Sequence, residues 1–322
     1  VPPRRPDPEV PDAAAVPLPA ALRAGAVRTP EGAAWVADLP GLVRRAAGRW
    51  SLELGPPFPS GSASWCAPAR TAAGADLVLK ISVPHAEARH EAAVLRAWAG
   101  RSSAPLVAEH AGDWALLLGR VRPGTPMTAD RTPVARRLAD AADVLRGLHA
   151  APPPADVPDL AAVGGGWAAL LQERADRAAR AGVRADPAVL RSATALLTAP
   201  AAGTAVLLHG DLNPGNLLRG PDGWCAIDPK AMRGDPAYDP WPLLEQVGAP
   251  WRTPDPVRTL GARVRLVADR VGLPAAPVAA WSAARATEAA LWDWHHGAPR
   301  PAVHRRLVRA GDWLRVRDRL AG

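Results

Sequence analysis

The amino-acid sequence predicts an α+β protein of two lobes. A β-rich N-terminal lobe covers residues 31–121, a mostly helical C-terminal lobe covers 122–322, and a Pro-rich arm over 1–30 precedes both. Three observations carry this. A chain of 322 residues is longer than one hydrophobic core usually serves. Between Trp50 and Val121 most apolar residues fall in short alternating runs separated by Gly, Pro and Ser, the pattern of strands and turns. Beyond "RPGTPM" they recur mainly at helical spacing to the end of the chain.

Each element follows from its own residues. In "GAAWVADLPGLVRRAAGRW" the positions of Trp35, Leu39, Leu42, Val43 and Ala46 give a helix with one apolar face. The alternation in "WSLEL" then predicts a strand, and "GPPFPSGSASWCAPAR" a turn and a second strand. "ADLVLKIS" is a third strand, "HAEARHEAAVLRAWAG" an amphipathic helix stopped by Gly100, and "LVAEHAGDWALLLGRV" a hairpin. The hairpin runs into "RPGTPM", a Pro/Gly hinge near Arg122. Past it, Val134, Leu138, Ala141, Leu145 and Leu148 mark a helix, and "APPPADVPDLAAVGGG" reads as its breaker. Gly164, Gly165 and Gly166 are taken as a hinge rather than a phosphate loop, because no lysine follows them. "WAALLQERADRAARAG" and "DPAVLRSATALLTA" are helices, and four more follow residue 235, with Asp or Pro at several of their starts. The strands of this half are confined to residues 204–230.

Composition removes several function classes. No apolar run reaches the length of a membrane span and the first thirty residues lack the apolar core of a signal peptide, so a soluble, cytoplasmic and monomeric protein is expected. Cys66 and Cys225 are too few for a disulfide framework, have no zinc-ligand spacing, and are read as small buried residues. The formal charge of +8 raises nucleic acid as a partner, but there is no recognisable reading motif and no basic cluster interleaved with aromatics. Of 39 basic lysine and arginine residues only two are lysine, Lys80 and Lys230. In a chain that uses arginine wherever it will serve, a retained lysine marks a place where a compact point charge is needed, such as a phosphate in a narrow space.

Residues 207–230, "LLHGDLNPGNLLRGPDGWCAIDPK", concentrate the chemistry. Short apolar runs broken by "NPG" and "GPDG" put the polar residues at strand ends and in tight loops. Asp211, Asn216 and Asp228 would thereby bring three oxygen-bearing side chains around one point, a set suited to Mg2+ with phosphate oxygens. The spacing matches a kinase catalytic loop, with Gly210 in place of the usual arginine and "IDP" in place of Asp-Phe-Gly. Both departures resemble the aminoglycoside phosphotransferase branch. "GAAWVADLPGLVRRAAGRWSLELGPPFPSGSASWCAP", "LVLKIS", "HEAAVLRAW", "LLLGRVRPGTPM", "LLHGDLNPGNLL", "WCAIDPKAMRGDPAYDP" and "ALWDW" resemble landmarks of the streptomycin 6-phosphotransferase and hydroxyurea-resistance kinase family over roughly residues 30–295.

The resemblance implies a protein-kinase-like fold and an ATP-dependent, Mg2+-dependent kinase of a small molecule. Carried onto this chain, it makes Lys80 the partner of the ATP phosphates, Glu91 the residue fixing Lys80, Asp211 the catalytic base, and Asn216 with Asp228 the metal ligands. Glu87, one helical turn away, competes with Glu91; the match to "HEAAVLRAW" favours Glu91. Ser62 and Ser64 are possible phosphate contacts. Mg-ATP is expected between the lobes, its adenine edge near Leu118 and Arg120. His209 is expected to hold loop backbone, and His295 and His296 to be an exposed helix end.

The resemblance ranks streptomycin, phosphorylated at the 6-hydroxyl, first as acceptor, with hydroxyurea or an amino sugar as rivals. For a cationic acceptor the candidate residues are Asp235, Glu245, Glu288, Asp293 and Trp292, with Lys230 placing phosphate or acceptor. A kinase-shaped nucleotide binder without turnover is the competing class; intact Lys80, Asp211, Asn216 and Asp228 argue against it.

Overall fold

The computed structural model describes residues 16–27, 29–59, 61, 63–199 and 203–322. The chain divides into two units, Val1–Ala92 with Ala104–Arg120, and Ala93–Ser103 with Val121–Gly322. The first unit therefore ends two residues before Arg122, and residues 93–103, expected in the N-lobe, belong to the second unit.

In the first unit a short helix, α1 (Ala20–Ala26), lies within the span expected to be an irregular arm, and α2 (Pro30–Trp50) follows. The Thr29 side chain accepts from the Gly32 N–H, and Pro30 occupies the first helical position, where no N–H is needed. β1 (Leu52–Leu54), β2 (Ser64–Thr71), β3 (Asp76–Ser82), β4 (Leu106–His110) and β5 (Ala115–Gly119) form one antiparallel sheet in the order β1-β2-β3-β5-β4. Trp35, Leu39, Leu42, Val43 and Ala46 of α2 share a core with Leu77, Leu79 and Ile81 of β3 and with Trp65 and Leu117. Side chains alternate across a strand, so once Leu79 and Ile81 face α2, Lys80 must project from the opposite face.

The helix expected from His85 begins only at Glu91, as α3 (Glu91–Trp98), after a 3-10 turn over Ala88–His90. None of residues 85–90 is buried, and an apolar face without packing does not sustain a short helix.

The second unit contains α4 (Val134–His149), α5 (Leu160–Arg180), α6 (Pro187–Thr198), α7 (Trp241–Gln246), α8 (Pro256–Val271), α9 (Ala275–His295) and α10 (Arg300–Ala321). Its strands β6 (Val206–Leu208) and β9 (Met232–Gly234) pair with each other, as do β7 (Leu217–Arg219) and β8 (Trp224–Ala226). β9 lies outside the stretch expected to hold all strands of this half. Three residues are too few for a period to show in the sequence, and its pairing with β6 is what makes it a strand. α9 packs against α5, α6, α8 and α10 and buries residues around most of its circumference, as a central helix must.

The glycine triplet is not a hinge. Gly164, Gly165 and Gly166 lie inside α5, which starts at Leu160 under an Asp159 cap. A Cβ on Gly164 would stand 1.7 Å from the Leu197 carbonyl oxygen, whereas Gly165 and Gly166 meet nothing within 4 Å. The triplet marks a close approach of α5 to the end of α6, and the capped, packed helix runs through glycine despite its low propensity. The cysteines are half-buried rather than enclosed, and burial still pushes the Cys225 thiol up to about 11. Among the described residues no helix is long and apolar enough to cross a membrane.

Candidate active site

Lys80, paired in register with Cys66 and Leu116, is 5% exposed, and Glu91, the first residue of α3, is 3% exposed. The Lys80 ammonium donates to both carboxylate oxygens of Glu91, at 2.6 and 2.8 Å. Glu87 lies exposed in the turn before the helix. A buried lysine whose ammonium is bonded to both oxygens of a carboxylate has a fixed direction, as a phosphate-binding lysine requires.

The remaining nucleotide candidates of this unit differ among themselves. Ser64 begins β2 opposite Ser82 and is 9% exposed. Ser62 lies outside the described residues. Leu118 is held in β5 between Val78 and Leu106. The Arg120 N–H donates to the Asp76 carbonyl at 3.3 Å, and its guanidinium pairs with the Asp76 carboxylate and lies over Phe58. That N–H is thus engaged within the sheet rather than presented to an adenine edge.

In the second unit the catalytic-loop candidate runs from β6 to β7, with Asp228 just past β8. His209 is fully buried, stacked on Trp98 with ring centroids 6.0 Å apart. Its Nε2 lies 3.0 Å from the Ile227 carbonyl, which can only accept, so Nε2 carries the proton and Nδ1 accepts from the Asp211 N–H at 3.3 Å. Burial holds the His209 pKa below its ordinary value against the pull of Asp239, Asp211 and Asp228, so the ring is neutral. Gly210 has φ +79°, and a Cβ there would stand 2.3 Å from the Lys230 carbonyl oxygen. The position before Asp211 therefore has no room for an arginine.

The Asn213 side chain accepts from the N–H groups of Gly215 and Asn216, closing the "NPG" turn. Asn216 Nδ2 donates to the Asp211 carbonyl at 2.9 Å, which leaves its Oδ1 as the acceptor end of a fixed amide. The Ile227 N–H donates to the Asn216 carbonyl at 3.0 Å, bringing Asp228 beside the loop. Asp228 is exposed and holds φ +58°, a left-handed conformation uncommon outside glycine but tolerated by Asp and Asn. Among the described residues no group of three or more His, Cys, Asp or Glu gathers to hold a metal unaided. Asn216 and Asp228 together fit a different design, in which Mg2+ takes one or two protein oxygens and completes its shell with phosphates and water.

One organising residue was missed from sequence. Asp239, fully buried, accepts from the Gly210 N–H at 2.8 Å through Oδ1, and through Oδ2 from the His209 N–H at 2.9 Å and from His149 Nε2 at 3.0 Å. Burial pushes its carboxyl up, but the hydrogen bonds from His149 and from the His209 backbone outweigh this and hold it below the usual carboxylate range. "AYDP" offers no motif for this role; Asp followed by Pro and lying between apolar residues was the only available signal.

The acceptor candidates are distributed among internal partners. Asp235 caps the Ala237 N–H and accepts from Trp281 Nε1 at 3.0 Å, and Glu245 accepts from Trp313 Nε1 at 2.8 Å. Asp293 pairs with Arg306. Glu288 accepts from Arg174 at 2.9 Å, and burial pushes its pKa up. The Arg174 guanidinium also lies 4.8 Å from the centre of the exposed Trp292 ring. Lys230 is exposed, and its N–H donates to the His209 carbonyl at 2.8 Å. His295 and His296 lie exposed at the end of α9.

Residues 49–297 match the model of a family described as aminoglycoside/hydroxyurea antibiotic resistance kinase. The chain is 34% identical over 283 residues to a streptomycin 6-kinase of Streptomyces glaucescens, covering 83% of this chain and 87% of that one. It is 33% identical over 272 residues to a hydroxyurea phosphotransferase of Kitasatospora aureofaciens, with 83% and 76% covered. A thermostable mutant of an aminoglycoside phosphotransferase, solved in ternary complex with AMP-PNP and hygromycin B, superposes with a TM-score of 0.60 at 16% identity, over 85% of this chain and 97% of that one. The fold is thus the protein-kinase-like fold of the aminoglycoside phosphotransferases, and the chain belongs to the aminoglycoside/hydroxyurea antibiotic resistance kinase family.

Proposed function

We propose that this protein is an ATP-dependent kinase that transfers the γ-phosphoryl group to a hydroxyl of a small antibiotic, with the 6-hydroxyl of streptomycin the first candidate. The observation that carries the reading is the build of the Asp211 loop: its backbone is tied down by Asp239, His209 and Asn216, while the Asp211 side chain itself is half-buried. A carboxylate on a rigid mount suits a reaction in which positioning and charge stabilisation do most of the work. Asp211 accepts a hydrogen bond from the acceptor hydroxyl and takes its proton as the new O–P bond forms and the bond from the γ-phosphorus to the bridging oxygen breaks. Lys80, held by Glu91, meets the nucleotide phosphates. Asn216 and Asp228 would hold Mg2+, which would neutralise charge on the phosphates. The protein works as a cytoplasmic monomer on a diffusible acceptor.

Hydroxyurea is the second reading, favoured by one observation. Asp235, Glu245, Glu288 and Asp293 each already bind a group of the protein itself. A small neutral acceptor would need none of them, whereas a dication gains from free carboxylates. A coupled ADP-release screen of streptomycin, other aminoglycosides, hydroxyurea and amino sugars, with mass spectrometry for one added phosphate, tests both. Turnover of streptomycin supports the first reading, turnover of hydroxyurea alone supports the second, and Mg-ATP binding without turnover of any acceptor defeats both.

A further inference from the structure

We propose that Arg285, on α9, is a positioning residue for Asp211, an inference that rests on the kinase reading of that aspartate. Gly210 has no space for a side chain, so whatever fixes the carbonyl end of the peptide unit leading into Asp211 must come from elsewhere in the chain. Arg285 supplies it: Nη2 donates to the Gly210 carbonyl at 2.7 Å, and Nη1 to the Tyr238 carbonyl at 3.1 Å. The guanidinium is itself held flat, its central carbon 4.1 Å from the centre of the Tyr238 ring and 5.0 Å from that of Trp241.

The consequence lies in peptide geometry. The Gly210 carbonyl and the Asp211 N–H belong to one planar peptide unit. Arg285 grips its oxygen and His209 Nδ1 its nitrogen, so the plane carrying the Asp211 Cα is fixed at both ends. Two carbonyls at an angle need the planar fork of arginine, because a lysine offers one point charge. Arg285 also stands one turn from Glu288 and two from Trp292 on the same face of α9, at i, i+3 and i+7. Arg174 of α5 bridges those two residues. One face of α9 thus runs from the mount of the catalytic aspartate to the Arg174 cluster.

Arg285→Ala and Arg285→Lys test this in the full chain. A misplaced catalytic group costs on the order of 10- to 100-fold in rate. The Ala variant should lose that much kcat with the KM for ATP little changed, and millimolar guanidinium ion should restore part of it without affecting the wild type. The Lys variant, which keeps charge and stem and serves if the Ala variant folds poorly, should retain an intermediate kcat. By hydrogen–deuterium exchange the amides of Gly210 and Asp211 should exchange faster in both variants, while those of β6 and β9 do not change. An unchanged kcat, a loss carried by KM alone, or a loss of kcat with unchanged exchange at Asp211 overturns the proposal. If the wild type turns over no acceptor, the kinase reading fails separately. The exchange comparison then decides whether Arg285 holds the loop: unchanged exchange refutes the clamp, and faster exchange confined to Gly210 and Asp211 supports it.

Discussion

Asp239→Asn is the sharpest perturbation of the loop mount, because it changes one atom's chemistry and almost no volume. The wild-type carboxylate is fully buried and receives three donors, Gly210 N–H on Oδ1 and His209 N–H with His149 Nε2 on Oδ2. An amide has one acceptor oxygen. With its NH2 at the Oδ2 position it can satisfy His149, if that ring switches tautomer, but it then confronts the His209 N–H with another donor. Turned over, it orphans the Gly210 N–H. Either way one buried backbone donor loses its acceptor, at about 1–3 kcal/mol. For a unit of this size that lowers Tm by roughly 2–4 °C per kcal/mol. The same displacement moves Asp211 off its mount, so kcat should fall by about tenfold or more while Mg-ATP affinity holds. The pH response separates this from a generic packing defect. The folded-state pKa of Asp239 lies below its unfolded value, so its contribution is present above about pH 3.9 and is lost as pH falls through the folded value. The Asn variant should therefore show a shallower acid limb in urea midpoints against pH. A variant with wild-type Tm and kcat would refute the mount.

Asp211→Ala should lower kcat by orders of magnitude and leave nucleotide affinity nearly intact in calorimetric titration; retention of most activity would remove it as the catalytic base. Lys80→Ala, which removes the ammonium bonded to Glu91, should weaken Mg-ATP binding and turnover together. His209 must stay neutral in the fold, so stability should be full above about pH 6.5 and decline as pH falls from there toward the lower folded value; urea midpoints at about pH 7.5 and about pH 5.5 check this, and His209→Gln should flatten the difference. Gly164→Ala should destabilise by about 1–3 kcal/mol, because its Cβ must displace the Leu197 carbonyl, whereas Gly165→Ala, with open space, should stabilise by about 0.5–1 kcal/mol in parallel thermal melts.

The legible and illegible parts of this molecule divide by where the partner of each residue lies. Lys80 is legible because the alternation of "ADLVLKIS" sets its face and arginine bias sets it apart as a lysine. The Asp211 loop is legible because its own turn residues, Asn213 and Gly215, are contiguous with it. Asp239 and Arg285 act on that loop from residues far along the chain, and neither position carries a local pattern that announces the contact. The same holds for the C-terminal carboxylates. Sequence shows that Glu288 and Asp293 are acids on one helix, and only packing reveals that Arg174 of α5 and Arg306 of α10 neutralise them. The glycine triplet failed for the converse reason. Its composition reads as a chain break, yet the property in use at Gly164 is the absence of a Cβ under the Leu197 carbonyl, a requirement set by α6. Gly210 joins both cases. Its departure from the kinase pattern is visible in the sequence, but its cause is the Lys230 carbonyl against its Cα, and with no side chain there the grip on the catalytic loop passes to Asp239 and Arg285.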